Sequence, residues 1–267
     1  MSGVILPGPG LVLPGGGASL PTADVSDLLA GATPNTFVVV DPVGNSALAT
    51  FAAARAALAA GATYDGSSSS GWTATAGSGT AAVTGGVFRL TMPALTNSGD
   101  GGRASIVRDH TSDVPADAFR ARVRLAALTN GNGDTFVGFY LYSSTTSNEL
   151  RLSVHPNGSA ECGYVGASWS GVLATLAAGT VAFDGTWWLE IVVRGLHVAL
   201  RVGQGTSSTP PAESSTTWRW LYSADLFSRW NGGRPWDRLG LFLTTYGTGG
   251  GAITMDFDDL VLERLTL

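Results

Sequence analysis

The stretch from Trp218 to Gly240, WRWLYSADLFSRWNGGRPWDRLG, concentrates side chains that could bind a sugar. It contains four tryptophans and four arginines, although charged residues make up 13% of the chain. Aromatic rings can cover the apolar C–H side of a sugar, and planar polar groups can hold its hydroxyls. We expect Trp218 and Trp220 to share one face of a strand that Tyr222 extends. The candidate carbohydrate-binding residues are Trp218, Trp220, Tyr222, Trp230, Asn231, Arg234 and Trp236. Because tryptophan also fills sandwich cores, structural packing is the alternative.

Other residues that could do chemistry are scattered. The histidines are isolated, which supports neither a catalytic triad nor a histidine metal site. The single cysteine, Cys162, excludes an intrachain disulfide and is predicted to be a buried, inert thiol. Calcium needs only hard oxygens. Its ligands could come from Asp256, Asp258 and Asp259, or from Asp100 and Asp109 with loop carbonyls. Such aspartates also occur as turn and edge residues, so no cofactor is predicted, and calcium is possible with unknown ligands.

Composition excludes several classes of function. The net charge of −5 and the pI near 5.1 leave no basic patch for nucleic-acid binding. The first residues, MSGVILPGPGLVLPGGG, have no basic region, and prolines interrupt their apolar runs. This segment is typical of neither a signal peptide nor a membrane span. We therefore expect synthesis in a cytoplasm and no membrane insertion.

The elements that would position these residues fall into three parts. Residues 1–33 are rich in proline and glycine and are predicted to be an extended segment that orders in a groove of another protein, with a floppy terminus as the alternative. Its candidate attachment residues are Val4, Ile5, Leu6, Leu11, Val12 and Leu13. Residues 34–62 are predicted to form a strand at 36–41 and a helix over 47–60, capped by Ser46 and ended by Gly61. The helix would carry a narrow stripe of candidate oligomerisation residues, Leu48, Phe51 and Leu58, with packing against the following domain as the alternative.

Residues 63–267 are predicted to form an antiparallel β-sandwich. Strand-sized runs alternate with turn residues, and no convincing helix follows residue 61. In the run from Phe119 to Leu125, apolar side chains alternate with Arg120, Arg122 and Arg124. One face of this strand should be buried, and the arginine face should meet water or a partner.

Several segments in order resemble the strand landmarks of concanavalin A-like, laminin G-like jelly-roll domains. They are Gly71-Trp72, GGVFRL (85–90), NELRLSVHPNG (148–158), DGTWWLEIVVRGLHVALRVG (184–203), DRLGLFL (237–243) and MDFDDLVLERL (255–265). The resemblance implies an all-β jelly roll. Glycanases of this fold carry two glutamates and an aspartate alternating on one strand, a pattern that DFDD (256–259) does not reproduce. We therefore expect no catalytic residues and no enzyme activity.

The whole layout resembles bacteriophage head-fibre, spike or tail-fibre proteins, or those of gene transfer agents. This resemblance implies a virion protein, anchored by its N-terminus to capsid, portal or tail and assembled as a homotrimer. Its sandwich would then adhere to a host-surface glycan. A purely structural decoration protein of the capsid or tail is the first alternative, and a secreted glycan-active enzyme is the second.

Overall fold

The alternation of apolar and polar side chains in the strand Ala118–Thr129 shows how the main domain forms. Phe119, Ala121, Val123 and Leu125 are fully buried and face the core. Because successive side chains of a strand point to opposite faces, the intervening arginines face away from the core. The structure thus confirms the predicted pattern of this strand, but not its predicted exposure, since Arg120 and Arg122 are 6% and 7% exposed.

The structure is a computed structural model, in which all described elements are strands. It describes residues 36–40, 46–50, 61–75, 77–94, 101–116, 118–166, 170–195, 197–225, 236–246 and 251–265. In this part of the chain there is no helix long and apolar enough to cross a membrane.

Residues 61–265 form two antiparallel sheets packed face to face. The seven-stranded sheet contains, in spatial order, β12 (Ser170–Leu176), β11 (Ala160–Val165), β10 (Asn148–Val154), β9 (Thr135–Ser143), β16 (Arg238–Tyr246), β7 (Gly101–Asp109) and β4 (Trp72–Thr75). The eight-stranded sheet contains β15 (Arg219–Asp225), β14 (His197–Gln204), β13 (Trp187–Arg194), β8 (Ala118–Thr129), β17 (Ile253–Arg264), β6 (Val87–Met92) and β5 (Thr80–Thr84), and β3 (Ala62–Tyr64) pairs with β17.

The inner faces of the two sheets share one apolar core. It includes Phe88, Phe139 and Phe257, all fully buried. Consecutive strands repeatedly cross from one sheet to the other, for example from β8 to β9 and from β15 to β16. The domain is therefore an all-β antiparallel sandwich of the jelly-roll type, which confirms the predicted fold class.

The predicted helix is wrong where the structure describes it. Ser46–Thr50 is a strand, β2, that pairs antiparallel with β1, Thr36–Val40. Alanine favours a helix intrinsically, but the β-branched run of β1 provides backbone partners across a short connection, and this pairing overrides propensity. Leu48 therefore lies in a strand, whereas Phe51 and Leu58 lie outside the described residues. The hairpin belongs to a compact unit that ends at residue 60, separate from the sandwich.

Several strands were not predicted. The glycine- and serine-rich segment after Tyr64, expected to be a lead-in, contains β4 and β5, and Ser170–Leu176 forms β12. All three lie at sheet edges; β5 consists of threonine, alanine and valine, and β4 and β12 mix large apolar residues such as Trp72 and Val172 with small or hydroxylated ones. Their side chains give little hydrophobic alternation, because one or both faces remain exposed there.

Candidate functional site

The outer face of the seven-stranded sheet brings together side chains from strands that are distant in sequence. Alternate residues of each strand point away from the core. The cross-strand register places Glu161 beside Ser153, Ser153 beside Gly138, and Gly138 beside Phe242. The outward-facing residues of β11, β10, β9 and β16 therefore share one continuous surface.

An open groove of about 190 Å³ lies on this surface. Its volume is smaller than that of drug-sized ligand sites, about 300–1,000 Å³, so the groove is shallow. Aromatic and polar side chains line it, together with two glycines. The lining residues are Phe136, Arg151, Ser153, Glu161, Gly163, Tyr164, Val165, Gly171, Val172, Phe242, Thr244 and Tyr246.

One wall of the groove is aromatic. The rings of Phe136 and Tyr246 meet edge to face with centroids 6.3 Å apart, and the imidazole of His155 packs on Phe136 at 4.3 Å. Tyr246 is 54% exposed, which is unusual for so large a ring in a folded domain. The wall thus presents apolar ring surface to whatever enters the groove.

The polar part of the groove is centred on Glu161 of β11. Its Oε2 lies 3.4 Å from Nε2 of His155, and its Oε1 accepts a hydrogen bond of 3.4 Å from the hydroxyl of Ser153. These long contacts leave the carboxylate able to accept further hydrogen bonds. Arg151 lies beside it and donates from Nε to Glu149 at 2.7 Å.

Thr244 is the residue in this groove whose hydrogen bonding is incomplete. It is 8% exposed, and its Oγ1 has no partner among the described residues. A buried hydroxyl without a partner is unfavourable, and such groups often mark places where water or a ligand completes the bonding. Thr244 therefore provides a hydroxyl in the groove whose bonding water or a polar ligand can complete.

Glycine keeps the groove open. A Cβ atom at Gly163 would meet one backbone atom, the carbonyl oxygen of Gly171 at 3.6 Å, which is an ordinary contact. A larger side chain at position 163 would therefore enter the groove without displacing the described backbone.

Burial sets the protonation of the nearby phenols. It raises the pKa of Tyr164, and it is also the largest cause of the raised pKa of Tyr140. Both phenols are neutral near pH 7 and can donate hydrogen bonds. Burial raises the pKa of Cys162 as well, so its thiol is protonated, and its position beneath the sheet agrees with the prediction of an inert cysteine.

The predicted carbohydrate-binding stretch lies elsewhere, at the edge of the eight-stranded sheet. Trp218 and Trp220 both stack against Arg201, whose guanidinium carbon is 4.2 Å and 4.8 Å from their ring centroids. Trp220 is 54% exposed, but Trp218 is 6% exposed and donates from Nε1 to the carbonyl of Ala212 at 2.9 Å.

The rest of that predicted stretch does not form one surface. A bulge in the β14–β15 pairing places Tyr222 opposite Leu200, so it packs against the core, on the other face from Trp220. Trp236 is 4% exposed and is a core residue, so its ring is not available to a sugar. Trp230, Asn231 and Arg234 lie outside the described residues, as do the predicted attachment residues Val4, Ile5, Leu6, Leu11, Val12 and Leu13.

The arginine face of β8 is covered by the protein itself. The connection between β14 and β15, residues 205–218, lies over it. Two residues of this connection contact the sheet beneath it. The carbonyl of Thr206 accepts a hydrogen bond from Nε1 of Trp188, and Oε1 of Glu213 lies 2.5 Å from Nη2 of Arg120. Glu190 is fully buried and pairs with Arg122 at 2.7 Å and with Arg201. The prediction that this face meets water or a partner is therefore wrong for Arg120 and Arg122.

The aspartates considered as calcium ligands are ion-paired. Arg89 donates to both oxygens of Asp256, at 2.8 and 2.7 Å, and Arg124 contacts both Asp258 and Asp259. Asp109 accepts hydrogen bonds from Thr111, and Asp100 lies outside the described residues. No group of three metal-ligating side chains occurs in the described segments. Arginine holds Asp256, Asp258 and Asp259, and Thr111 holds Asp109, so these aspartates do not form a set of calcium ligands within the described segments.

Comparisons with known proteins show a likeness of fold. No family model matches the sequence, and no curated protein matches it either. The GH43 protein BlXynB from Bacillus licheniformis is similar with a TM-score of 0.51 and 12% identity, over 85% of this chain and 46% of that chain. The chain thus spans less than half of BlXynB.

Two lectin-like structures are also similar. The exoplasmic/lumenal domain of VIP36, in a form bound to Ca²⁺ and Man3GlcNAc, has a TM-score of 0.46 and 15% identity, over 77% of this chain and 89% of that chain. The potassium-bound carbohydrate recognition domain of Emp46p has a TM-score of 0.45 and 12% identity, over 74% and 90%.

Sequence reasoning missed the groove. Its aromatic residues Phe136, Phe242 and Tyr246 lie on two strands that pair although more than a hundred positions separate them. A weak signal was present: Phe136, Tyr140 and Tyr142 alternate with Val137, Phe139 and Leu141, so both faces of β9 are apolar or aromatic. An aromatic outer face on a central strand indicates a surface that is not simply solvated.

Proposed function

We propose that the groove on the seven-stranded sheet binds carbohydrate. The observation that carries this proposal is the meeting of an aromatic wall, Phe136 and Tyr246, with the unpartnered hydroxyl of Thr244 in one open groove. A sugar ring has an apolar face and a polar rim, and it can satisfy both at once.

Polar groups in the groove match the rim of a sugar. Glu161 can accept hydrogen bonds from hydroxyls, and Thr244 can donate or accept one. Both residues are held by the sheet, so little side-chain freedom is lost on binding. On this outer face the charged side chains of the described strands are three of each sign, Arg103, Arg151 and Arg238 against Asp109, Glu149 and Glu161, which favours a neutral or weakly charged glycan.

We further propose that the groove binds without hydrolysing. Both oxygens of Glu149 are occupied by Arg103, and Arg151 also contacts Oε2. Glu149 is therefore not free to contact a glycosidic bond, and among the described residues that line the groove Glu161 is the single carboxylate. Glycoside hydrolysis normally needs two. Release of reducing sugar from bound glycans, lost in Glu161→Gln, would instead support the glycan-active enzyme.

The finer proposal is that this binding serves adhesion of a virion fibre to a host-surface glycan. It rests on the sequence resemblance to phage and gene-transfer-agent fibres. Under it, residues 1–33 attach the protein to capsid, portal or tail, and the protein is a homotrimer. Light scattering of the full-length chain and particle binding with and without residues 1–33 test this role. A monomer that joins particles would favour the decoration protein.

The groove is tested with a glycan array and the full-length protein. Gly163→Leu should fill the groove and lower binding to the glycans recognised by wild type at least about tenfold, or about 1.4 kcal/mol. Ala82→Leu adds the same side chain at an exposed position of β5, on the other sheet, and should leave binding unchanged. Equal binding by all three proteins, with unchanged melting temperatures, would overturn the proposal.

A further inference from the structure

Two side chains of opposite charge line the groove without pairing with each other. In the cross-strand register, Arg151 of β10 lies beside Gly163, and Glu161 of β11 lies beside Ser153. The two are therefore diagonal neighbours on adjacent strands, at a spacing of about 7–8 Å that long side chains can bridge. Arg151 instead donates from Nε to Oε2 of Glu149, on its own strand, at 2.7 Å. The described ion pairs thus leave the two charges separate in one groove.

On the cationic side, two arginines share one carboxylate. Nη1 of Arg103, on β7, lies 3.0 Å from both oxygens of Glu149, to which Arg151 also donates. The positive charge of this cluster therefore exceeds its negative charge. The side chain of Arg151 is 27% exposed, so a ligand can reach it. An anionic group on that ligand would balance the remaining charge through a charge-assisted hydrogen bond.

On the anionic side, the carboxylate of Glu161 is only weakly compensated. Its oxygens contact the hydroxyl of Ser153 and Nε2 of His155, each at 3.4 Å. The serine is neutral, and an imidazole balances a carboxylate only when it is protonated. Among the described residues, no arginine pairs with Glu161. An ammonium group on a ligand would supply the missing positive charge.

The space next to both charges is left open by Gly163. This residue lies opposite Arg151 and two positions beyond Glu161 on β11. A Cβ there would meet only the carbonyl oxygen of Gly171, so no described side chain fills the space. A ligand in the groove therefore meets a cation and an anion together.

We propose that the groove selects a zwitterionic glycan, in which neighbouring sugars carry an ammonium group and an anionic group, carboxylate or phosphate. This inference rests on the proposed carbohydrate function. A ligand that covers Arg151 and Glu161 removes water from both charges, which is unfavourable unless each meets an opposite charge. A purely anionic glycan would be repelled by Glu161, and a purely cationic one by Arg151. A zwitterionic glycan compensates both, and its zero net charge matches the balanced charges of this face.

The probe is a glycan array of oligosaccharides in which a free amino sugar neighbours a uronic acid or a sugar phosphate. Each is presented in four forms: intact, N-acetylated, methyl-esterified at the anion, and with both changes. N-acetylation removes the positive charge, and esterification removes the negative one. Full-length wild type should bind the intact form at least about tenfold more tightly than either singly charged form, because each loses a charge-assisted hydrogen bond. The uronic acid and phosphate series show which anion is preferred.

Two variants assign each half of the preference to one residue. Glu161→Gln should bind the intact and N-acetylated forms equally and still discriminate against esterification, whereas Arg151→Gln should show the reverse. In Arg151→Gln, Arg103 still holds both oxygens of Glu149, so this carboxylate keeps a partner. Arg89→Gln is the matched control, because it removes an arginine that pairs with an aspartate on the other sheet, and it should keep both preferences.

The outcomes separate this inference from the proposed function. If wild type binds the doubly blocked form as tightly as the intact form, the zwitterion inference is wrong and the carbohydrate function stands. The same holds if Glu161→Gln and Arg151→Gln weaken all four forms alike, since a merely structural role would have that effect. Array binding that Gly163→Leu does not reduce, or no binding at all, would refute the proposed function and this inference with it.

Discussion

Both outer faces of the sandwich carry arginine–glutamate pairs, but only one of the two faces is covered by the chain. On the eight-stranded sheet, Glu190 and Arg201 are 0% and 3% exposed, beneath the connection 205–218. On the seven-stranded sheet, Arg103 and Arg151 also pair with a glutamate, but the surface beside them stays open and aromatic. One face is covered by a loop and its own ion pairs, and the other is open.

The two faces differ in where their buried polar groups find partners. On the covered face, Glu190 has arginine partners on both β8 and β14, so its charge is compensated within the chain. In the groove, Thr244 lacks a partner among the residues that the structure describes. On the covered face even Nε of Arg120, which lacks a hydrogen bond, lies 3.5 Å from Oε2 of Glu190, so its charge is compensated within the chain. A binding face can leave a neutral hydroxyl for the ligand.

The largest expected effect is loss of stability on the covered face. Glu190→Gln should lower the free energy of unfolding by about 3–5 kcal/mol, because it leaves buried guanidinium groups on Arg120, Arg122 and Arg201 without their shared carboxylate. Glu161→Gln, in the groove, should cost less than about 1 kcal/mol, since its contacts are long and partly exposed. Urea unfolding of both variants measures the difference, and equal losses would contradict the contrast.

Thr244→Val should separate stability from binding. The substitution removes an unpartnered hydroxyl at nearly constant shape, so the free energy of unfolding should stay level or rise by about 1–2 kcal/mol. Glycan binding should fall about tenfold, because the ligand loses a hydrogen-bonding partner. Denaturant unfolding and isothermal titration check the two effects. A clear loss of stability would show that Thr244 has a structural role instead.

A pH titration tests whether a buried ionisable group needs a partner. His110 is fully buried, and neither ring nitrogen has a hydrogen-bond partner in the described segments. Burial lowers its pKa below the ordinary 6.5. Below about pH 6.5 the unfolded chain binds this proton more readily than the folded one, so stability should fall by up to about 1.4 kcal/mol per pH unit until the folded-state pKa is reached.

His110→Leu is the comparison protein for that titration. Between pH 7 and pH 5 its free energy of unfolding should lack the decrease caused by protonation of His110. Denaturant unfolding of both proteins at each pH measures this. An identical pH dependence in both proteins would show that His110 does not carry the effect.

The smallest expected effect is at Trp220. Trp220→Ala removes an exposed ring from the stack on Arg201 and should cost about 0.5–1 kcal/mol of stability. Glycan binding should be unchanged, because the ring lies on the eight-stranded sheet. If this variant loses binding while Gly163→Leu keeps it, the site belongs to the sequence-predicted stretch and not to the groove.

Local pattern predicted much of the fold and little of the candidate site. The alternation of Phe119 with Arg120 identified β8, because a period of two depends on neighbouring residues alone. The helix over 47–60 failed at β2, because alanine propensity is weaker than pairing with β1. Trp236 looked like a loop residue available to ligand, and its position just before a central strand buries it in the core.

By itself, the sequence determined the class of the main domain, the apolar face of β8 and the burial of Cys162. These follow from hydrophobic burial and short-range periodicity. Tertiary structure alone decided which outer face is covered and which stays open. Residues 205–218 fold over the arginines of β8, and the register of β9 with β16 brings Phe136 beside Thr244. Such contacts join residues far apart in the chain, and no local pattern encodes their register.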